Sequence, residues 1–244
     1  MTNRHYHSDI LAAIKDTFVS VESAIESASE KTGCQKLARI SGTTATVALR
    51  VGQKLYLAHV GDSRAMYCTF SASLGMSSNT TIHSEGSNEE EADYASIETT
   101  EDHNPNRADE KARIERCGGE VRQVTENLPF RLYKKDKHKP GLAMSRALGD
   151  IDAQQCGLLY EPEIKVFDLT KAEFDSNAHH YVVVASDGVW EMLENEEIVK
   201  EIRMNCTCSE NIIAEKIAQK AATNWLASEK AVSDDITVIV HRIK

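Results

Sequence analysis

Tyr181-Val182-Val183-Val184-Ala185-Ser186-Asp187-Gly188-Val189-Trp190 is the stretch on which the reading of this chain turns. An unbroken β-branched run reads as a strand buried on both faces, and here it stops abruptly at Asp-Gly. A carboxylate is therefore expected at the mouth of a buried strand, beside a glycine that lets backbone or solvent come close. A second terminus of this kind lies near the C-terminal end, where Ser233-Asp234-Asp235 leads into Ile236-Thr237-Val238-Ile239-Val240. Two acids at strand ends, far apart in sequence, can converge on a divalent cation, because hard cations such as Mg²⁺ take oxygen ligands. Either Asp alone would serve equally well as a turn or helix cap.

Working outward, residues 8–29 place Ile10, Leu11, Ile14, Phe18, Val21 and Ile25 at helical spacing, with Ser8 or Asp9 as the cap. Residues 43–51 and 54–60 read as a hairpin joined by Gly52-Gln53, and residues 65–69 as a third strand. The texture then changes. Residues 71–100 are rich in Ser, Asn, Thr and Glu and are expected to form a mobile surface insertion. A helix is expected at 106–117, between Pro105 and Gly118-Gly119, then a strand at 121–124. Residues 133–139, Tyr-Lys-Lys-Asp-Lys-His-Lys, make a basic loop, read either as a greeting surface for phosphorylated substrate or as a solvated hairpin tip. Further strands are expected at 164–169, 180–185 and 236–243. Helices are expected at 195–203 and 210–227, the latter with an apolar stripe of Ile212, Ile213, Ile217, Ala221 and Trp225. Hairpin-linked strands with few long helices predict an α+β fold of antiparallel sheets flanked by helices.

The 244 residues fit a single domain spanning 1–244. A formal net charge of −10 argues against nucleic acid or an anionic membrane as partner. No apolar run reaches membrane-spanning length, and the start Met1-Thr2-Asn3-Arg4-His5-Tyr6-His7 has no signal-peptide core. With six cysteines and no secretory signal, free thiols and a cytoplasmic or nuclear location are expected. Cys206-Thr207-Cys208 is too closely spaced for a usual zinc pair.

Six segments, in order, resemble the metal-dependent protein serine/threonine phosphatases of the type 2C (PPM) family. They are Ser41-Gly42-Thr43-Thr44-Ala45; His59-Val60-Gly61-Asp62-Ser63-Arg64-Ala65; and Glu101-Asp102-His103-Asn104-Pro105, running on to Arg113-Ile114-Glu115-Arg116-Cys117-Gly118-Gly119. Then come Leu142-Ala143-Met144-Ser145-Arg146-Ala147-Leu148-Gly149-Asp150, Ser186-Asp187-Gly188-Val189-Trp190 and Ser233-Asp234-Asp235-Ile236-Thr237. The resemblance implies a four-layer α-β-β-α sandwich of two antiparallel sheets. It also implies a Mg²⁺ or Mn²⁺ cofactor, two ions being expected, and a phosphorylated protein substrate. Two such ions, about 3.5–4 Å apart, lower the pKa of bound water and offset charge on a transferring phosphoryl group.

By the same resemblance, Asp187 and Asp234 match ligands of the first metal. Gly188 and Asp235 stand beside it, and Asp235 occupies a place where the family usually has Asn. Asp102 matches an acid of a third, weaker site, with Glu191 where many relatives have Asp; alternatively Asp102 caps the following helix. Asp62 and Asp150 are expected to fix turns and bury hydrogen bonds, with Arg64 and Arg146 as their pairing partners. His5, His7 and Asp9 are a remote alternative ligand set, against a plain disordered terminus.

The family also carries an Asp-Gly-His-Gly-Gly loop whose Asp bridges both metals, and this sequence contains no such loop. The domain is therefore expected to be N-terminally incomplete, and two functions follow. One is a metal-dependent protein serine/threonine phosphatase, weak or inactive as the chain stands. The other is an inactive phosphatase-like binding or regulatory module that self-associates or recruits partners through exposed sheet edges.

Overall fold

The computed structural model describes residues 9–31, 39–71, 94–126, 128–170, 178–228 and 233–243. Its strands are β1 (Gly42–Thr43), β2 (Ala45–Val51), β3 (Lys54–Val60), β4 (Arg64–Ser71), β5 (Tyr94–Thr99) and β6 (Gly119–Arg122). They continue with β7 (Arg131–Lys134), β8 (Pro140–Leu142), β9 (Leu148–Gly149), β10 (Glu163–Asp168), β11 (Ala178–Ala185) and β12 (Val238–Ile243). The helices are α1 (Ile10–Lys31), α2 (Ala108–Arg116), α3 (Ile151–Gln154), α4 (Asp187–Trp190), α5 (Asn195–Met204) and α6 (Glu210–Ala227). The expected α+β class holds. Among the described residues the strands form a four-stranded sheet β12-β11-β4-β5, two three-stranded sheets β10-β3-β2 and β6-β7-β8, and a two-stranded pair β1-β9.

The fold divides into two units. The first draws on Met1–Val47, Leu57–Ser63 and Glu101–Lys165, the second on Ala48–Tyr56, Arg64–Thr100 and Val166–Lys244. In the second unit, β11 is a central strand, paired antiparallel with β12 on one side and β4 on the other. Val183 stands opposite Val240 and opposite Met66. This is why its sequence is apolar on both faces. Met66, Cys68, Phe70, Tyr181 and Val183 form one core with Ile198 and Ile202 of α5 and Ile213, Ile217 and Ala221 of α6. The α6 stripe is as expected except for Ile212, which is 43% exposed.

The first unit is built around Ile114, Leu132, Ala147, Ala153, Cys156 and Leu158. Helix α1 is capped by Asp9, whose Oδ1 accepts the Ala12 N–H at 3.2 Å. Its buried face is Ala13, Ile14, Phe18 and Glu22. Leu11 and Val21, placed on that face by spacing, are exposed instead. The Glu22 carboxylate takes the buried place because it accepts the Gly149 N–H at 2.7 Å and the Gln154 side-chain amide at 2.6 Å.

The expected insertion at 71–100 is too long at its C-terminal end, because residues 94–99 are strand β5, paired antiparallel with β4. Ile97 packs against the second unit's core, and Thr100 is buried, its hydroxyl accepting the Ala65 N–H at 3.0 Å. The Ser/Thr/Glu composition hid an edge strand. The rest of that segment, 72–93, lies outside the described residues, as do His5 and His7. The Gly52-Gln53 connection between β2 and β3 is as expected, Gly52 taking φ +60. The basic loop is the tip between β7 and β8.

Candidate metal centre

Strand β11 ends at Ala185, opposite Val238 of β12. The pairing continues beyond the strand. Ser186 N–H donates to Thr237 O at 3.1 Å, Ser186 Oγ donates to Asp235 O at 2.8 Å, and Thr237 N–H donates back to Ser186 Oγ at 3.0 Å. One serine thus binds the two acid-bearing turns together. Gly188 completes the approach, since a β-carbon there would lie 2.5 Å from the Asp235 carbonyl oxygen. Only glycine admits that contact.

Asp187 and Asp234 are brought side by side by these bonds. Asp187 Oδ1 accepts the Gly188 N–H at 2.9 Å, and Asp234 Oδ1 accepts the Asp235 N–H at 2.8 Å. Burial first, then the charge of Asp234, push the Asp187 carboxyl above its ordinary range, and Glu191 adds in the same direction. Two neighbouring carboxylates, one half-buried, with hydrogen bonds from backbone only among the described residues, are a set of hard oxygen donors that a divalent cation would relieve. The residues present fit such an ion. Asp235 is exposed beside them, and its backbone carbonyl is already taken by Ser186.

Two tryptophans hold this corner from behind, which sequence reading missed. Trp190 Nε1 donates to Ala185 O at 2.9 Å, and Trp225 Nε1, from α6, donates to Gly188 O at 2.7 Å. Asn224 Nδ2 adds a bond to Met192 O at 3.0 Å. Only the apolar stripe on α6 announced Trp225; its polar handle is used at the turn. Arg64 lies over the Trp190 ring at 5.1 Å and donates to Asn195 Oδ1 at 3.3 Å.

In the first unit, the segment carrying Asp102 is clamped on both sides. His59 Nε2 donates to Glu101 O at 2.9 Å, His103 N–H donates to Gly61 O at 3.0 Å, and His103 Nδ1 accepts the Gly61 N–H at 3.1 Å. Asp102 is not a helix cap: the residue preceding α2 is Arg107, and no side chain caps that helix. Asp62 follows Gly61 in the turn after β3.

Arg146 pairs with Glu110 and Glu163, each at 2.8 Å, and not with Asp150. Asp150 takes a left-handed turn (φ 45) with its N–H donating to Ser41 O at 2.9 Å. Its carboxylate makes no hydrogen bond among the described residues and lies where a Gly42 β-carbon would clash, 2.2 Å away. Burial, then Glu22, raise its pKa. The nearest acid in sequence was the wrong partner for Arg146 because the β1–β9 pairing turns Asp150 toward Gly42. Glu110, fully buried, is held by Arg113, Arg146 and Ser145.

Two groups of donors there are spaced closely enough for an ion: His59, His103 and Glu163, and Asp109, Glu110 and Glu163. Neither is attractive. The two imidazoles are stacked 4.2 Å apart with only 13° between planes, so their in-plane lone pairs run parallel and do not converge. Glu110 and Glu163 are already neutralised by guanidinium groups. The Asp187–Asp234 corner, by contrast, has no guanidinium partner among the described residues.

A model of the protein phosphatase 2C family matches residues 2–231. The chain belongs to that family. It is 31% identical over 201 residues to the probable protein phosphatase 2C 73 of Arabidopsis thaliana, covering 82% of this chain and 47% of that protein. To the probable protein phosphatase 2C 12 of Oryza sativa subsp. japonica it is 32% identical over 189 residues, covering 77% of this chain and 42% of that protein. The chain spans about half the length of the curated relatives it matches. Among solved structures, a serine-threonine phosphatase 2C from Toxoplasma gondii superposes with TM-score 0.73 at 18% identity, over 96% of this chain and 67% of that one. A C. elegans sex-determining protein gives 0.65 at 16% identity, over 95% and 46%. These structures establish the protein phosphatase 2C fold. Metal dependence is a general property of the family. No helix among the described residues is long and apolar enough to cross a membrane.

Proposed function

We propose that this protein phosphatase 2C domain hydrolyses phosphoserine or phosphothreonine in proteins, using Mg²⁺ or Mn²⁺ held in part by Asp187 and Asp234. The observation that carries the proposal is the acid pair itself. Two carboxylates are electrostatically coupled at the ends of β11 and β12 with no cationic partner among the described residues, and a scaffold freed of metal chemistry has no need of that arrangement. The bound ion supplies a water made nucleophilic at neutral pH and a counter-charge for the phosphoryl group. The chain's own residues do the rest. Asp187 and Asp234 hold the ion, Ser186 and Gly188 keep them adjacent, and Trp225 fixes the Gly188 carbonyl.

The test is hydrolysis of a phosphothreonine peptide by the 244-residue chain with and without Mn²⁺, beside Asp187→Ala and Asp234→Ala. Metal-dependent turnover, lost in both variants, is expected. The rate is expected to be low, since the resemblance places further ligands in an Asp-Gly-His-Gly-Gly segment absent from this sequence. A folded chain that neither binds Mn²⁺ nor turns over would overturn the reading in favour of a non-catalytic module.

A further inference from the structure

Residues 131–140, at the β7–β8 hairpin, carry five basic side chains against one acid, a formal +4 in a chain whose net charge is −10. Several basic groups elsewhere in the first unit are engaged. Arg107, Arg113 and Arg146 are spent on Glu110 and Glu163, and Lys15 on Glu161. At the tip, Lys134, Lys135, Lys137 and Lys139 are all exposed, and none has an ion-pair partner among the described residues.

The backbone beneath them is fixed. Lys134 N–H donates to Lys139 O and Lys137 N–H to Lys134 O, each at 3.0 Å, and Asp136 makes the left-handed step at φ 59. Arg122 lies over the Tyr133 ring at 4.3 Å and donates to Lys137 O, while Arg131 Nη1 donates to Gly141 O at 2.7 Å. The neighbouring arginines are thus used to pin the hairpin. Leu132 and Tyr133 are buried beneath it. The four ammonium groups remain on a held frame with no ion-pair partner among the described residues.

We propose that this tip docks an Asp/Glu-rich segment of a partner protein. Ammonium groups are separate point charges and suit a run of separate carboxylates; one phosphate held bidentately would call for the arginine fork. Charges interact over about 8 Å at physiological salt, so a narrow peptide meets the tip alone. The chain's net charge of −10 disfavours an anionic membrane or a duplex as that partner. The proposal does not depend on the phosphatase reading, because its test is binding.

The test is fluorescence anisotropy with a labelled peptide of alternating Asp and Glu, its Asn/Gln counterpart, and the 244-residue chain at low and physiological salt. The acidic peptide is expected to bind, more weakly as salt rises, and the neutral one not to bind. Lys135→Glu/Lys137→Glu should weaken binding about tenfold or more, given four units of charge change at exposed contacts. Its melting temperature should stay unchanged, since both side chains are exposed and unpaired. Equal affinity for the double variant, or no binding by the wild-type chain, overturns the proposal. Tighter binding of the tip to phosphatidylserine vesicles or single-stranded DNA than to the peptide would also overturn it, assigning the surface to lipid or nucleic acid.

Discussion

At Gly188 a single hydrogen atom separates a workable corner from a broken one. Gly188→Ala would drive a β-carbon to 2.5 Å from the Asp235 carbonyl. The two turns must then part, at a cost of about 1–3 kcal/mol for overpacking, and Asp187 moves away from Asp234. The expected result is a lower urea midpoint together with weakened Mn²⁺ binding by calorimetry. Trp225→Phe probes the same corner more gently. It keeps an aromatic ring but removes the donor to Gly188 O, and leaving a buried acceptor unmet costs about 1–3 kcal/mol. Mn²⁺ affinity should fall with it; an unchanged affinity beside a lowered stability would make the indole a packing group only. Asp187 and Asp234 stand out as candidate acids in the sequence because each flanks a β-branched run. Their adjacency was not, since it rests on the β11–β12 register and on Ser186, which no spacing announces.

Elements differ in how openly the sequence declares them. Helix α6 was expected over 210–227 and occupies Glu210–Ala227, because its apolar residues recur at three- and four-residue steps over five turns. Strand β11 declared itself by β-branching. Strand β5 did not, as its Ser, Glu and Thr residues blend into the polar segment before it, and only the ladder with β4 makes it a strand. The β1–β9 pair is two residues long and has no periodicity to read. Helix α1 shows a subtler limit: a buried Glu22 replaced expected apolar neighbours because its partners, Gly149 and Gln154, lie more than 120 residues away. A prediction follows for α6. Ile217 is fully buried against the four-stranded sheet's core, so Ile217→Ala should cost about 2–5 kcal/mol. Leu226, 87% exposed on the same helix, should tolerate Leu226→Glu within about 0.5 kcal/mol. Urea unfolding of the two variants checks both, and equal losses would mean that α6 is not docked through the Ile217 face.

For the molecule as a whole, acid is the informative variable. The chain carries 38 acidic side chains against 28 basic ones, and its self-repulsion shrinks as pH falls toward the pI of about 5.4. A drop in stability on acidification must therefore come from specific groups. Glu110 is the foremost of these. Burial alone would raise its pKa, but hydrogen bonds from Arg113, Arg146 and Ser145 outweigh it and hold the folded value at about 2, against 4.5 for the free side chain. Arg107, Glu163 and His103 also face the cluster, and Glu163 and Asp109 are lowered as well. A folded pKa below the unfolded one gives stability that is complete above pH 4.5 and lost as pH falls from there toward 2. The buried, stacked His59 and His103, both held below 6.5 chiefly by burial, begin the loss earlier because the unfolded chain binds their protons first. Glu110→Gln keeps the shape but leaves Arg113 and Arg146 without their buried counter-charge, a break expected to cost about 3–5 kcal/mol at neutral pH. Its unfolding free energy should then change less between pH 4.5 and 3 than that of the wild-type chain, measured by urea titration at each pH. Parallel curves would move the acid sensitivity to Glu163 and Asp109, and would make Glu110 a buried anion whose charge is compensated equally in both states.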